Sequence, residues 1–516
     1  MKKSFLLFLL VLNVTISKSQ SYVPDSTFNS TGKKTYNFFN NIDRSFGSLV
    51  QDDGKIVIVG LSKNTGTGSF ELCFARFKLT GVIDSTFGTN GVTKVSMGNQ
   101  GSIGGQTPVV KQDELGRFVA VNTGRSVSGS SQDLMVCRLD STGHIDNTFN
   151  STGVLFVDMT GGGTQPDEAN AFTMDATGNI YLTGATRTGG TPLDNDFVIV
   201  KVTSAGQLDP TFDTDGKKLF NPTGAAEFGT GIAVQPDGKI VFAGTAGGKM
   251  FVARIDSTGA YDLTFNSTGY RQLTTVGSSS DVYCLALDSM NRIVLGGTSG
   301  GSSAAIVRLL PNGAFDTSFN LIGSKIYMVA GLTTTVTGMA IAPDGKIVFG
   351  GSIDNSSTGL NFYAARLDST GTVDLTFNGT GYVQVPVATG NVDDEANNML
   401  LLSDGRIFIN GTGVLSSAIN EDIEMLLLKP VTVVSGISIN ESSFINAVYP
   451  NPASNFITLN CKRETIVEIL NTEGQLLKQL TATLGINKVN IETLPAGVYL
   501  IKEKGTATAS KFVKYD

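Results

Sequence analysis

Short apolar runs, rich in β-branched and aromatic residues and closed by glycine or asparagine turns, fill most of the chain. That is the profile of many short strands rather than of helices. One run recurs directly after a turn: KIVIVG after Asp53-Gly54, RFVAVN after Leu115-Gly116, NIYLTG after Thr177-Gly178 and KIVFAG after Asp237-Gly238. RIVLGG after Met290-Asn291, KIVFGG after Asp344-Gly345 and RIFING after Asp404-Gly405 complete the series. Each turn has Gly or Asn where a two-residue hairpin needs a positive φ, so each marks one hairpin. Seven turns predict seven units.

A second pattern follows each hairpin. A basic residue is followed by Gly five places on, Asp eight on, Phe eleven on and Gly fifteen on. The pattern holds at Arg76/Asp84, Arg138/Asp146, Lys201/Asp209, Arg254/Asp262, Arg308/Asp316 and Arg366/Asp374. The Gly turn brings the basic residue and the Asp together across two strands, and the Phe is placed to wedge between adjacent units. A ring of Asp carboxylates around a ligand is the competing reading, but a motif repeated in every unit serves the scaffold. Each unit parses as four strands: Gly231 to Pro236, Lys239 to Gly244, Lys249 to Asp256, and a fourth around the D-x-T-F element. Successive Phe positions lie from 53 residues apart (Phe212 to Phe265) to 63 (Phe149 to Phe212). Four strands at that period predict propeller blades.

The two ends of the array complete one another. Lys429 stands where the basic residue belongs in the seventh unit, yet no Asp or Phe follows in frame. The missing element stands near the start, as Asp25-Ser26-Thr27-Phe28 with Gly32 beyond it. The fold expected is therefore all-β: a seven-bladed β-propeller over residues 20–430, its N-terminal strand closing the last blade and Asp25 meeting Lys429. A linker, 431–444, leads to residues 445–516. There, strands alternate with Asn-Pro, Glu-Gly and Pro-Ala-Gly turns, the pattern of a small Ig-like β-sandwich.

Composition adds direction. Lys2 and Lys3, the apolar run Phe5 to Val14 and the small residues Ser17 and Ser19 make 1–19 a removable signal peptide. The apolar run is too short to span a bilayer, and no later segment could span one as a helix. A net charge of -7 gives no basic footprint for nucleic acid. Four cysteines fit an exported chain that does not depend on disulfides. Cys73 and Cys137 could bridge, but both read better as buried free thiols.

The segments QPDGKIV and FVARIDSTGAYDLTF, with their counterparts between about residues 25 and 429, resemble the delta-60 β-propeller repeat of bacterial surface and secreted proteins. That resemblance implies a propeller and transfers no catalytic residue or ligand. The C-terminal residues are similar to the type A sorting domain of the type IX (Por) secretion system of Bacteroidetes. Tyr449-Pro450-Asn451-Pro452, the turn ending at Gly474, Leu494-Pro495-Ala496-Gly497-Val498-Tyr499, and Lys511 and Lys514 carry that similarity. It implies the type IX machinery as partner, passage through the outer membrane, removal of the domain, and surface attachment or release.

Catalytic chemistry is sparsely signalled. A single histidine, His144, lies in a turn, which leaves little room for a His-based triad or a His-rich metal site. Asp167-Glu168 and Asp393-Asp394-Glu395 take matching places ahead of their blades' first strands. They read as solvated loop charges, with Ca²⁺ binding or a glycosidase-like pair as alternatives. The recurring Asp-Ser-Thr reads equally as a hydrogen-bonded turn or as a glycosylation signal. No cofactor is implied. The expected function is a non-catalytic binder of an extracellular glycan, polymer or protein. The alternative is a hydrolase or lyase using channel carboxylates.

Overall fold

The computed structural model describes residues 19–516 apart from 39–41, 65, 99–106, 127–130, 162–164, 189–194, 330–331, 356–358, 388–392, 415–420, 434–444, 473, 506–508 and 516. The expected signal peptide, but for Ser19, and most of the expected linker lie outside the described residues. All regular elements among those described are strands. They fall into two units, Gln20–Thr432 and a C-terminal one from Val433.

The first unit holds seven antiparallel sheets. The fourth is representative: Glu227–Val234, Ile240–Ala246, Lys249–Ile255 and Tyr270–Gln272, in that order across the sheet. The middle two strands are buried on both faces because a sheet packs against each side; Ile240, Phe242, Val252 and Ala253 are all inaccessible. Ala75, Cys137, Ala253 and Ala365 fill equivalent buried positions. The outermost strand starts after the second Gly of the frame, at Val92, Val154, Lys217, Tyr270, Ser324 and Tyr382. This corrects the expectation that the fourth strand surrounds the D-x-T-F element. That element instead forms the turn leading into the strand, because its Asp accepts hydrogen bonds from the Thr two residues on, as Asp262 does from Thr264 N and Oγ1.

The last sheet is composite. Asp393–Leu401, Ile407–Val414 and Glu421–Val433 come from the end of the array, and Lys33–Tyr36 supplies an outer strand in register with Ile423–Leu426. The third strand runs on to Val433, into the first residues of the expected linker. This sheet is also bound to the first: Asn397 Nδ2 donates to Ser45 O (2.9 Å), Ser45 Oγ to Gly411 O (2.7 Å) and Asn398 Nδ2 to Ser48 Oγ (3.0 Å). The series of sheets thus returns to its start.

The C-terminal unit has two sheets. One contains Ile445–Tyr449, Phe456–Cys461 and Gly485–Asn490; the other orders Leu476–Ala482, Thr465–Leu470, Gly497–Glu503 and Ala509–Lys514. Ile457, Leu459, Val467, Ile469, Ile501 and Phe512 form its buried core, alternating with outward residues as a two-layer β fold requires.

Candidate functional site

The repeated frame residues sit between sheets rather than around a ligand. Each basic residue meets its Asp: Arg76–Asp84 at 2.9 Å, Arg138–Asp146 at 2.8, Lys201–Asp209 at 2.7, Arg254–Asp262 at 2.8, Arg308–Asp316 at 2.7 and Arg366–Asp374 at 2.8 Å. Lys429 lies 3.3 Å from Asp25, which Arg406 also approaches at 3.4 Å. The arginines do more than the sequence signalled. Arg308 Nη1 donates to Ser369 O in the following sheet (2.7 Å) and Nη2 to Ser318 Oγ (3.1 Å), and the guanidinium lies 4.7 Å from the Phe319 ring centre. Arg138 and Arg254 reach Ser204 O and Pro311 O in the same way. The Lys201 ammonium and the Thr211 hydroxyl hold Asp209 down to about 2. The frame Gly has a second duty: a Cβ on Gly313, whose φ is +82°, would stand 2.8 Å from the Phe265 ring of the preceding sheet. The frame therefore locks each sheet to the next.

The acidic clusters lie in strands rather than loops, and only part of each is solvated: Asp393 and Glu395 are exposed. Asp167 and Asp394 lie in the strands Asp167–Met174 and Asp393–Leu401, and both are buried. Asp167 accepts a hydrogen bond from Met159 N (2.8 Å), and Asp394 from Val387 N (2.6 Å); Asp43 and Glu227 take equivalent bonds from Phe38 N and Thr223 N. Ser280 and Thr334 stand at the same position and accept from Met250 N and Ala304 N. The position satisfies a backbone N–H arriving from the preceding sheet, which a buried amide demands. Burial raises Asp167 to about 6 despite those bonds. It also pushes Glu424 up, with the adjacent Asp394 carboxyl adding to the effect. The periodicity of the array hid this burial, because the polar residue alternates with channel-facing ones and the pair reads as a loop.

Where the first strands of all seven sheets converge, they enclose a cavity of about 510 Å³. Its shape rests on a recurrent β-bulge, at Ser45/Gly47, Ala169/Ala171, Gly229/Gly231, Val282/Cys284 and Ala396/Asn398. A bulge re-aims the extra side chain, so Phe46, Asn170, Thr230, Tyr283 and Asn397 all line the cavity. Three of them also tie neighbouring sheets: Asn170 Nδ2 to Gly229 O (3.1 Å), Thr230 Oγ1 to Val282 O (2.6 Å) and Asn397 Nδ2 to Ser45 O. Small residues follow the bulge because the next strand approaches closely; a Cβ on Gly231 would lie 2.7 Å from that of Leu285.

Against this common plan stand Lys111 and Tyr283, each found once at its aligned position, and two further cavity residues, Glu168 and Thr337, whose counterparts are Glu395 and Thr230. Lys111 lines the cavity at a position filled elsewhere by Leu49, Thr173, Ala233, Ala286, Ala340 and Leu400. Burial draws its ammonium down to about 8. Glu168 lines the cavity too, and burial raises its carboxyl against the pull of Arg187. Tyr283 is 45% exposed, and the cavity-lining Thr337 has a hydroxyl with no hydrogen-bond partner. Sequence reasoning missed Lys111, Tyr283 and Thr337. Aligning the seven first strands on their turns and asking which cavity position breaks the pattern would have found Lys111 and Tyr283; Thr337 shares its residue type with Thr230 and is set apart by its unpaired hydroxyl.

Among the described residues, Asp133, Asp158 and Asp167 form a set able to hold a cation, with one carboxylate oxygen from each within 4.8 Å of the others. Cys73 and Cys137 are free and buried, and burial pushes the Cys137 thiol up to about 12. His144 is exposed, its Nδ1 2.9 Å from Thr142 Oγ1. The Asp-Ser-Thr threonines at 142, 258 and 370 are exposed and hydrogen-bonded to their own Asp.

In the C-terminal unit, Asn451 joins the segment containing Pro450 and Pro452 to the last strand. Its Nδ2 donates to Lys511 O (3.1 Å), and its Oδ1 accepts from Val513 N (2.9 Å). Tyr499 Oη donates to Pro495 O (2.6 Å), and its ring stacks on Phe512. Gly474 takes a positive φ of 84° in its turn, and Gly497 opens the strand Gly497–Glu503. Lys511 is exposed, whereas Lys514 is buried.

Two families match the chain. A β-propeller domain of unknown function (DUF5122) matches residues 51–87, 235–265, 291–319 and 342–377. The secretion system C-terminal sorting domain matches residues 447–514. The fold and the first match make this an all-β propeller protein. The second specifies it further: it carries a type IX sorting tail, and is exported by that route to the cell surface or extracellular space. No curated protein matches the chain. Among solved structures, it is similar to an inactive virginiamycin B lyase from Staphylococcus aureus with quinupristin (12% identity, 78% of this chain and 99% of the other, TM-score 0.44). It is also similar to an ulvan lyase (12%, 78% and 98%, 0.41) and an α-L-arabinofuranosidase from Fusarium graminearum (10%, 80% and 98%, 0.39). Among the described residues, no helix is long and apolar enough to cross a membrane.

Proposed function

We propose that the seven sheets are the blades of a closed propeller, built from residues 20–430, that binds an extracellular glycan, polymer or protein in its central cavity without turning it over. On this reading, residues 1–19 are a signal peptide, and the domain from 445 engages the type IX machinery through its sorting motifs. The frame pairs from Asp25–Lys429 to Arg366–Asp374 serve the scaffold alone. The observation that carries the proposal is the contrast between repeated and unrepeated residues. The recurring frame ties sheet to sheet, whereas Lys111 and Tyr283 each occur once at their aligned positions and face the cavity, beside Glu168 and Thr337. A concave, mostly apolar site with a few convergent polar groups is the usual form of a ligand pocket.

The rival is a hydrolase or lyase. One observation favours it: of the acidic residues weighed from the sequence, Glu168 lines the cavity, with its carboxyl raised toward the range of a general acid. The full chain, screened against glycans and extracellular proteins with and without Ca²⁺, separates the two. Binding without released product supports the binder. Turnover that Glu168→Gln abolishes overturns it in favour of the enzyme.

A further inference from the structure

The cavity holds one ammonium group with no carboxylate assigned to it. Among the described residues, Lys111 Nζ makes no hydrogen bond or ion pair, and the contact it does make is with the face of Phe172, 5.6 Å to the ring centre. Glu168 is not its partner. It lies five aligned positions nearer the strand start, about 13 Å away along the strand once the bulge is discounted. A half-buried cation without a counter-charge is costly, so a scaffold has no reason to place one there. The six other sheets fill the position with neutral side chains. The walls beside it are apolar or aromatic, with Phe172, Ile232, Leu285, Met339 and Met399 around the cavity. Two further polar atoms are unengaged, the Thr337 Oγ1 and the hydroxyl of the half-exposed Tyr283.

We propose that the central cavity binds a ligand with a single carboxylate attached to a ring or apolar body, the carboxylate pairing with Lys111 and the body lying against Phe172 and Tyr283. This rests on the binding role proposed above and names the ligand's chemistry. A single charge is favoured over phosphate or sulfate clusters for two reasons. Among the described residues the cavity offers one ammonium and no arginine fork, and the Glu168 carboxylate on the same wall repels a polyanion. The charge-assisted pair gains strength because the site is partly withdrawn from water. Such a carboxylate could come from a uronic acid sugar or from the free acid of a hydrophobic amino acid, and the test separates these sources.

The test is calorimetric titration of the full chain with a uronate disaccharide, with N-acetylphenylalanine, and with the methyl ester of each. At least one acid should bind, its ester at least tenfold more weakly. Lys111→Met should reduce acid binding at least tenfold and leave ester binding unchanged. Tyr283→Ala, at an exposed position, should weaken acid and ester severalfold alike. Whichever acid binds identifies the source. Equal binding of acid and ester, acid binding unmoved by Lys111→Met, or no binding of either acid would each overturn the inference. In the first two cases a ligand still occupies the cavity without pairing with Lys111, so the wider binding role survives; loss of all cavity ligands would remove both.

Discussion

Replacing Arg308 by Ala removes the most enclosed basic residue of the frame. Its side chain is 2% exposed and holds Asp316 at 2.7 Å, Ser369 O at 2.7 Å and Ser318 Oγ at 3.1 Å. Breaking a buried ion pair from one side costs about 3–5 kcal/mol, because the remaining charge is stranded. Here Arg292 Nη1, 3.2 Å from Asp316, retains part of the compensation and places the loss at the lower end of that range. The Ser369 carbonyl in the next sheet loses its donor as well, adding about 1 kcal/mol. The expected total is about 4 kcal/mol. Arg308→Lys keeps the charge but not the fork, as Lys201 does naturally two sheets earlier, and should cost about 1–2 kcal/mol. Urea unfolding of the three proteins, read as a shift in midpoint at constant slope, measures both losses. An Ala variant within about 0.5 kcal/mol of the parent would refute the argument that the frame locks sheet to sheet. An Ala variant no worse than the Lys variant would refute the role given to the inter-sheet hydrogen bond.

Three other outcomes follow. Phe28→Ala at the junction of the chain's two ends should cost about 3–5 kcal/mol, as Phe265→Ala does within the array, since both rings are fully buried; a negligible loss at Phe28 in thermal melts would mean the junction does not hold the ring closed. Asp167, raised to about 6, favours the folded state most in its protonated form, so its contribution is complete below about pH 4 and fades as pH rises through 6; Asp167→Asn should flatten this part of the stability–pH curve by about 2–3 kcal/mol, and an unchanged slope counts against its buried, desolvated state. Asp209 has the opposite sign: its pairing with Lys201 holds above about pH 4 and is lost as pH falls toward 2, so Asp209→Asn should be less sensitive than the parent to acid between those limits.

Much of the architecture was legible because the scaffold's demands repeat. The Asp-Gly turns, the basic–Asp pairs and the Phe wedges are spaced by local geometry, and local geometry is written in short-range sequence. The place of Asp25 opposite Lys429 could be read for the same reason, as a missing piece of a known frame. What depended on closure was not legible. The fourth strand was set too early because D-x-T-F resembles strand sequence, yet its Asp and Thr bond to each other and turn the chain. Asp167 and Asp394 looked solvated, since nothing local reveals a backbone N–H arriving from the sheet before. The cavity residues were hidden most deeply. Lys111 sits in VVKQDELGR, an unremarkable polar step at a strand end, and only the convergence of seven strands around it makes its charge unusual.

The division between repeated scaffold and unrepeated site is tested most directly by comparing two variants of the full chain. One carries Lys111→Met with Tyr283→Ala, the other Arg308→Ala. Melting temperature and binding to a common panel of glycans and extracellular proteins are measured for both. The cavity variant should keep its melting temperature and lose binding, while the frame variant should melt earlier and still bind below its transition. A frame variant that loses binding while fully folded, or a cavity variant that binds as the parent does, would contradict that division.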